Sequence, residues 1–400
     1  MRPETALFWY VFQVLFWVSL GTILYTYLGF PLFIYLRSEL RPRPWLQLSI
    51  TPSVSVIVAV HNGATLLRQK IENLLTVEYP PEKLDIIVVS DGSSDGTNQI
   101  LRSYDHPRLR SMICDDQRGK VAALNEGIKK AKGEILLFVD IRPRLDTRSV
   151  KLLISNFADP QVGCVAGNLE AKTDGSDVRM RAVTDLYWKF EQWMRRCEAQ
   201  IDSSVGVYGG FYAVRRELVK LLPDGTILDD LLQSLNVIRQ GYRCVSDERA
   251  NVYDNWPNRS QDEFSRKVRT LAGNFQVLRI APWVLSRQNR VRVALASHKL
   301  LRLIVPPMLV ICLITTGILS RWSMFYETVF ISQLLFYFLG AFHLARKIPV
   351  LKSISGAAGA FCMLNVAVVV AFYKFLFVRG PLWRIWIPTP IISPADIDEG

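Results

Sequence analysis

The sequence is poor in cysteine and contains no paired-cysteine motif. Its 400 residues include six scattered cysteines and no Cys-x-x-Cys. This spacing argues against a disulfide framework and against a structural zinc site, and it fits a reduced compartment. The six are Cys114, Cys164, Cys197, Cys244, Cys312 and Cys362.

Acidic residues are outnumbered, with 36 Asp and Glu against 48 Lys and Arg, which gives a formal net charge of +12. The chain also lacks a helix-turn-helix, zinc-finger or aromatic ribonucleoprotein pattern, so nucleic acid is not the expected partner. Basic residues instead flank the long apolar runs, where they attract anionic headgroups at the cytoplasmic ends of spans. We therefore expect contact with membrane lipids. These residues are Arg37, Arg41, Arg43, Arg279, Arg287, Arg290, Arg292, Lys299 and Arg302.

Charge is absent from one long run, residues 8–36. Three further runs of low charge lie near residues 303–319, 325–345 and 357–378. Since about 20 apolar residues span a bilayer core, all four runs are predicted transmembrane helices. The first exceeds the apolar core of a signal peptide, about 7–15 residues, and no small-residue cleavage site follows it. We expect one helix over 8–36 and about three over 303–378.

The distribution of basic residues predicts the orientation of these spans. It puts residues 38–300 in the cytoplasm and the N-terminus outside, as in a multi-pass protein of the cell (inner) membrane. The fourth span then leaves Arg379 and Arg384 outside, where basic residues are disfavoured. Either the last segment is re-entrant or the charge bias is too weak to matter.

Residues 50–280 alternate strand and helix patterns. β-Branched runs at 54–62 and 85–97 flank a segment with helical apolar spacing at 66–75, which predicts a strand–helix–strand unit and a mostly parallel α/β sheet. Ligands bind at the carboxyl edge of such sheets, where Asp91 and Asp95 stand among glycines and serines. An ordinary Asp-Gly-Ser turn is the alternative for that stretch alone.

Basic and apolar residues mix from about Gln276 to Arg302. This mixture favours an amphipathic interface helix, and we assign 281–302 to an interface segment. A plain surface helix is the alternative.

Seven short motifs follow one another in a fixed order. Together they resemble family 2 glycosyltransferases, and more narrowly the membrane-embedded relatives of cellulose, hyaluronan and poly-N-acetylglucosamine synthases. The resemblance covers about residues 50–280 and implies a GT-A-like, Rossmann-like catalytic domain. The motifs are His61-Asn62, Ser90-Asp91-Gly92-Ser93-Ser94-Asp95, Gly119-Lys120, Phe138-Val139-Asp140, Tyr208-Gly209-Gly210, Leu228-Asp229-Asp230 and Arg266-Lys267-Val268-Arg269.

The resemblance implies that a nucleotide-sugar, a UDP-sugar, is bound at these motifs. Asp91 and Asp95 would hold uracil and ribose, and Lys120, in a glycine-led loop, would contact nucleotide or diphosphate as a point charge. A solvated lysine is the alternative for Lys120 considered by itself. The other residues assigned to nucleotide-sugar binding are His61, Asn62, Asp140, Arg266 and Arg269.

The family's metal motif is incomplete in this chain. Asp140 opens the family's Asp-x-Asp, which binds Mg²⁺ or Mn²⁺ against the diphosphate. The third position is Arg142, which cannot bind a cation. We therefore expect a metal on Asp140, the phosphates and one other carboxylate, or, alternatively, Arg142 neutralising phosphate charge itself.

Asp229 and Asp230 precede a helix, where a simple N-terminal acidic pair is the alternative interpretation. In the family such a pair ends in the catalytic base, which maps to Asp230, and neighbouring carboxylates raise one another's pKa. Gly209 and Gly210 permit close approach of an acceptor sugar.

The last motif bears on the product. Processive synthases carry Gln-x-x-Arg-Trp, whereas this chain has Arg266, Arg269 and then Thr270. We predict a membrane-integrated inverting glycosyltransferase, transferring hexosyl or N-acetylhexosaminyl groups to a growing polysaccharide, with export and possible export partners. Non-processive transfer to a lipid-linked acceptor is the alternative, and a non-catalytic nucleotide-sugar sensor is a rival from another class.

Overall fold

One eight-stranded sheet forms the centre of the part of the chain that the structure describes. The computed structural model describes residues 3–172, 178–255, 260–345 and 352–378. The strands in spatial order are β3-β2-β1-β4-β7-β6-β8-β5. Their bounds are β1 (Val54–Val60), β2 (Leu84–Asp91), β3 (Leu109–Cys114), β4 (Ile135–Val139), β5 (Arg144–Leu145), β6 (Val162–Lys172), β7 (Phe211–Arg215) and β8 (Arg243–Asn255).

The sheet is parallel where it carries the sequence motifs. β1 pairs in parallel with β2 and β4, and β2 pairs in parallel with β3. β6 and β8 form a fourth parallel pair, while the three antiparallel pairings involve β5 and β7. The prediction of a mostly parallel α/β sheet is confirmed. The carboxyl ends of β1, β2 and β4 therefore meet at one edge.

Helices pack on both faces of this sheet. Val56 and Val58 of β1 join one apolar cluster with Leu67 of α3, whereas Ile57 joins the opposite cluster with Val121 of α5. This alternation is the period of two expected of a strand with two buried faces. The helices of this domain are α3 (Ala64–Leu75), α4 (Thr97–Ser103), α5 (Lys120–Lys130), α6 (Ser149–Ser155), α7 (Val178–Ile201), α8 (Asp229–Arg239) and α9 (Ser260–Ile280).

In the part of the chain that the structure describes, four further helical stretches are long and apolar enough to cross a membrane. They cover Leu7–Leu40, Arg292–Leu319, Met324–Phe342 and Gly356–Phe377, and they match the four apolar runs of the sequence. Residues 346–351, Arg379 and Arg384 lie outside the described residues. The helical bounds are α1 (Pro3–Leu24), α2 (Phe30–Leu40), α10 (Arg292–Leu295), α11 (Leu301–Leu319), α12 (Met324–Ala345) and α13 (Lys352–Phe377), with π-turns at Tyr25–Gly29 and Ala296–Leu300.

The expected helix over residues 276–302 is divided into short pieces. α9 ends at Ile280, and a 3₁₀-helix, Pro282–Leu285, follows. Ala281 has non-helical backbone dihedral angles (φ −138°, ψ 62°), because the following proline disfavours the helical region for the residue before it. Residues 281–291 are therefore a short connection and residues 292–302 begin the next apolar helix, so the interface segment 281–302 is not one amphipathic helix.

A buried group of charges joins the sheet domain to α11. We call Glu191, Glu198, His298, Lys299 and Arg302 the junction cluster. His298 lies between the two glutamates of α7, with Nδ1 2.7 Å from Glu198 and Nε2 3.2 Å from Glu191. Lys299 and Arg302 also contact Glu191. The cluster fixes α7 against the start of the span.

Candidate active site

The loops after β1 and β2 are bonded to each other. His61 Nδ1 lies 2.7 Å from the carbonyl oxygen of Asp91, and Asn62 Oδ1 accepts from the amide of Ser94 at 2.8 Å. Asn62 has a positive φ of 50°, a conformation that asparagine tolerates better than most residues. These two motifs therefore form one surface at the carboxyl edge of the sheet.

Asp95 joins the same two loops through its carboxylate. Its two oxygens accept from the amides of Ala64 and Thr97, at 3.0 and 2.9 Å. Burial raises the pKa of Asp95, but these bonds and that of the Thr97 hydroxyl outweigh it and leave the pKa lowered. Asp95 is thus an ionised acceptor at the starts of α3 and α4.

Asp91 holds the loop that carries Lys120. Its buried carboxylate accepts from the amides of Arg118 and Gly119, both at 2.8 Å. Gly92, with a φ of 60°, allows this loop to approach, since a Cβ there would lie 2.3 Å from the amide nitrogen of Gln117. The geometry makes Asp91 a support for the loop.

Lys120 links the carboxyl end of β4 to the start of α8. Its Nζ lies 2.9 Å from Asp140 Oδ1 and 3.5 Å from Asp229 Oδ2. Burial lowers the pKa of Lys120, but the two carboxylates raise it by a larger amount. The pKa is therefore above the usual value for lysine, and the side chain stays protonated. We call Lys120, Asp140 and Asp229 the site cluster.

Asp229 is the least satisfied member of the site cluster. Only 8% of its side chain is exposed, and among the described residues no hydrogen bond reaches its Oδ2. Burial raises the pKa of Asp229 to about 6, against the opposing charge of Lys120. A narrow cleft brings Lys120 and Asp229 beside Arg269 of α9. Burial and the charge of Arg266 lower the pKa of Arg269, so the two arginines of α9 lie near each other in this region.

Asp230 lies directly against the glycine motif. A Cβ on Gly209 would lie 2.8 Å from Asp230 Oδ2, and one on Gly210 would lie 2.5 Å from the ring of Tyr208. The other oxygen of Asp230 accepts from the amide of Leu231 at 2.8 Å. A side chain at either glycine would therefore displace Asp230 or Tyr208, and Asp230 itself is partly exposed.

Arg142 is paired with a carboxylate that the sequence did not point to. Its guanidinium lies 3.2 Å from Asp254 Oδ1 at the end of β8. Asp254 comes 112 residues later and belongs to no motif, so this pair could not be predicted from spacing.

The residues at the site fit a divalent cation whose remaining ligands come from the substrate and water. Among the described residues, no three His, Cys, Asp or Glu side chains stand close enough to hold a metal by themselves. Asp140 has 42% of its side chain exposed at the site. Mg²⁺ is commonly bound by one or two carboxylates, with phosphate and water completing its shell. Asp140 suits that arrangement.

Trp188 and Lys70 lie near the site but belong to none of the motifs. Tyr208 and Trp188 meet edge to face, with ring centroids 5.7 Å apart. Trp193 packs instead against Phe190 and Tyr35 near the membrane helices, and Trp256 lies outside the described residues. Lys70 of α3 is buried beneath the loop after Asp140.

The structure thus brings the sequence-assigned residues into one region. Asp91 bonds the loop of Lys120, Lys120 contacts Asp140 and Asp229, and the next residue, Asp230, faces Gly209. Their individual roles in binding and catalysis stay predictions.

Comparison with known proteins identifies the domain. Residues 55–222 match the family model of Glycosyl transferase family 2. The chain is 34% identical over 124 residues to glycosyltransferase AglE of Haloferax volcanii, which covers 30% of this chain and 41% of that protein. It is 24% identical over 248 residues to the poly-beta-1,6-N-acetyl-D-glucosamine synthase of Staphylococcus aureus, with 61% of this chain and 60% of that protein covered. The chain therefore spans less than two thirds of either relative.

A solved structure agrees with the fold. The mannosyltransferase PcManGT from Pyrobaculum calidifontis, in complex with GDP-Man and Mn²⁺, superposes with a TM-score of 0.69 at 21% identity, over 92% of this chain and 100% of that one. The fold is therefore of the GT-A type, flanked by apolar helices that indicate a membrane protein. Residues 55–222 thus resemble a Glycosyl transferase family 2 domain, and the described part of the chain has the fold of a known mannosyltransferase.

Proposed function

We propose that the chain is a membrane-integrated inverting glycosyltransferase that moves a sugar from a UDP-sugar to a growing polysaccharide. The observation that carries this proposal is the site cluster beside Asp230, at the carboxyl edge of the sheet. It puts a fixed cation next to two carboxylates, and a third carboxylate lies against the glycine motif. Transfer from a nucleotide-sugar needs these groups within a few ångströms of each other.

The donor would bind across the loops after β1, β2 and β4. The surface of His61, Asn62, Asp91 and Asp95 would take the base and ribose, while Lys120 would face the diphosphate. As the bond between the sugar carbon and phosphate oxygen breaks, negative charge develops on the departing diphosphate. A protonated Lys120 already held in place stabilises that charge without reorganisation.

Asp230 would act as the base toward the acceptor. It takes the proton of the acceptor hydroxyl while that oxygen forms the new bond to the sugar carbon. Attack from the side opposite the diphosphate gives a single displacement with inversion. The partial exposure of Asp230 beside the glycine motif supports this assignment.

Mg²⁺ or Mn²⁺ is the cofactor that Asp140 would hold. Such a cation supplies Lewis-acid neutralisation of phosphate charge. The Mn²⁺ in the mannosyltransferase structure makes divalent cations the first cofactors to test.

The apolar helices would hold this site at the cytoplasmic face of the cell (inner) membrane. Val268 and Ala272 of α9 pack with Ala367 and Ala371 of α13, so the helix of Arg269 rests on a predicted span. A transfer site in that position can pass a polymer to export proteins. Transfer of one or a few sugars to a lipid-linked acceptor is the second candidate, and Thr270 favours it, because it stands where processive synthases have tryptophan.

The decisive experiment uses the purified full chain in nanodiscs with a panel of radiolabelled UDP- and GDP-sugars, each with Mg²⁺, Mn²⁺ or EDTA. We expect transfer from a UDP-sugar. A ladder of product lengths supports polymer synthesis, while one shifted lipid supports the second candidate. Binding of nucleotide-sugars without any turnover, across the whole panel and with lipid and oligosaccharide acceptors present, would contradict catalysis and favour a sensor.

A further inference from the structure

Lys70 occupies an apolar position of α3. Its neighbours on that face, Leu67, Ile71 and Leu74, are fully buried, and Lys70 itself is 3% exposed. Among the described residues it is the one buried lysine. A buried ammonium destabilises the fold unless it is hydrogen-bonded and near negative charge, so its position needs an explanation.

The ammonium of Lys70 holds the loop that follows Asp140. Its Nζ donates to the carbonyl oxygen of Pro143. One turn along α3, Asn73 donates to the carbonyl oxygen of Leu145 at 2.9 Å and accepts from its amide at 2.8 Å. α3 thus holds residues 140–145 at two points.

Charges on this loop and on β8 face Lys70. Burial lowers the pKa of Lys70 to about 8, against the opposing charges of Asp140 and Asp254. Asp254 is itself paired with Arg142 at 3.2 Å, and Asp140 with Lys120 at 2.9 Å. Lys70 is therefore close enough to one carboxylate of each ion pair, Asp140 and Asp254, to be influenced by both charges.

We propose that Lys70 is a positioning residue for donor binding, because it fixes the loop that presents Asp140 and Arg142 to the diphosphate. This inference rests on the proposed function. Lys70 would act through the loop and through its charge, without touching the nucleotide. Removal of the charge should free Pro143 and let Asp140 and Arg142 move, and small displacements of binding groups can change rates by up to about 100-fold.

The test compares Lys70→Met, Lys70→Arg and the exposed control Lys129→Met in the full chain. Affinity for UDP, with GDP in parallel, is measured by calorimetry with Mg²⁺ between pH 7 and 9, and Tm is recorded for each variant. We expect Lys70→Met to keep or raise Tm, because methionine fills the apolar site without a buried charge, while UDP affinity falls at least tenfold. Lys129→Met should change neither quantity.

The pH profile separates a positioning charge from a packing role. Wild-type affinity should fall above about pH 8 as Lys70 loses its proton in the field of Asp140 and Asp254, whereas Lys70→Arg, which keeps its charge, should hold its affinity to pH 9. Equal UDP affinity in wild type and Lys70→Met would overturn the inference, and so would identical pH profiles in wild type and Lys70→Arg. A wild-type chain that binds neither nucleotide would contradict the proposed function instead.

Discussion

The pKa values of two buried carboxylates in this chain, Asp229 and Glu191, are shifted in opposite directions. Burial raises the pKa of both. For Asp229 the single nearby contact with Lys120 does not offset burial, and the pKa rises to about 6. For Glu191 the charges of Lys299, His298 and Arg302 more than offset burial, and the pKa falls well below its usual value. The surrounding charges, and not the depth of burial, decide the direction: three cations act on Glu191, whereas one cation and two carboxylates act on Asp229.

The difference separates a site from a scaffold. Glu191 is contacted by Lys299, Arg302, His298 and Arg195, so its carboxylate is saturated within the protein. Asp229 Oδ2 lies 3.5 Å from Lys120 and has no hydrogen bond among the described residues. An unsatisfied buried charge destabilises the fold until a ligand compensates it, whereas a saturated network stabilises the contact between two elements. The site cluster should therefore contribute to activity, and the junction cluster to stability.

The largest expected effect comes from Asp230→Asn. The amide has the same shape but cannot take a proton, so kcat should fall about 10³-fold, within the range usual for general bases. UDP affinity and Tm should stay near wild type, because Asp230 faces the acceptor side. Single-turnover assays and calorimetry measure these quantities. Unchanged kcat in this variant would remove Asp230 as the base.

Glu191→Gln should cause the largest loss of stability. It leaves Lys299 and Arg302 without their shared carboxylate, and breaking a buried ion pair costs about 3–5 kcal/mol. Glu248→Gln is the matched control, because the Arg196–Glu248 pair is about half exposed and should be worth no more than about 1 kcal/mol. Thermal unfolding in detergent measures both. Equal shifts in Tm would mean that the junction cluster is not a stabilising contact.

Asp229→Asn should raise stability at neutral pH. The pKa of Asp229 is about 6 in the fold against 3.8 unfolded, so the fold favours its protonated form, and wild type loses stability as pH rises through this range. At 1.36 kcal/mol per pKa unit, the variant gains up to about 3 kcal/mol above pH 6. Its Tm should exceed that of wild type at pH 7.5 and match it near pH 4. A lower Tm at pH 7.5 would show that the Lys120 contact outweighs burial.

The sequence predicted the features that depend on residues close together in the chain. β1, β2 and β4 are β-branched runs that end in small polar residues, so their carboxyl edge and the placing of Asp91 and Asp140 followed from the pattern. The acidic pair at the start of α8 was visible in the same way.

Pairings between distant segments were not predictable. Asp254 reaches Arg142 only because β5 and β8 pair at one edge of the sheet. Lys70 gave one faint signal, a lysine three residues after Leu67 on an apolar helical face, but its carbonyl partner depends on a loop 73 residues away. The Glu191–His298 contact likewise needs α7 to lie against the π-turn Ala296–Leu300, which neither segment encodes alone.

Gly209→Ala should give the smallest of these effects, confined to activity. The added Cβ would lie 2.8 Å from Asp230 Oδ2, so the carboxylate must rotate away from the acceptor. Because the displaced atoms are the end of a side chain, Tm should change little, while kcat should fall about tenfold, as expected for a displaced catalytic group. Gly21→Ala adds the same methyl group where no atom lies within 4 Å and should leave kcat unchanged. If Gly209→Ala lowers Tm and leaves kcat intact, the glycine serves the packing of the sheet, and the contrast between a reactive site and a stabilising junction must rest on Asp229 alone.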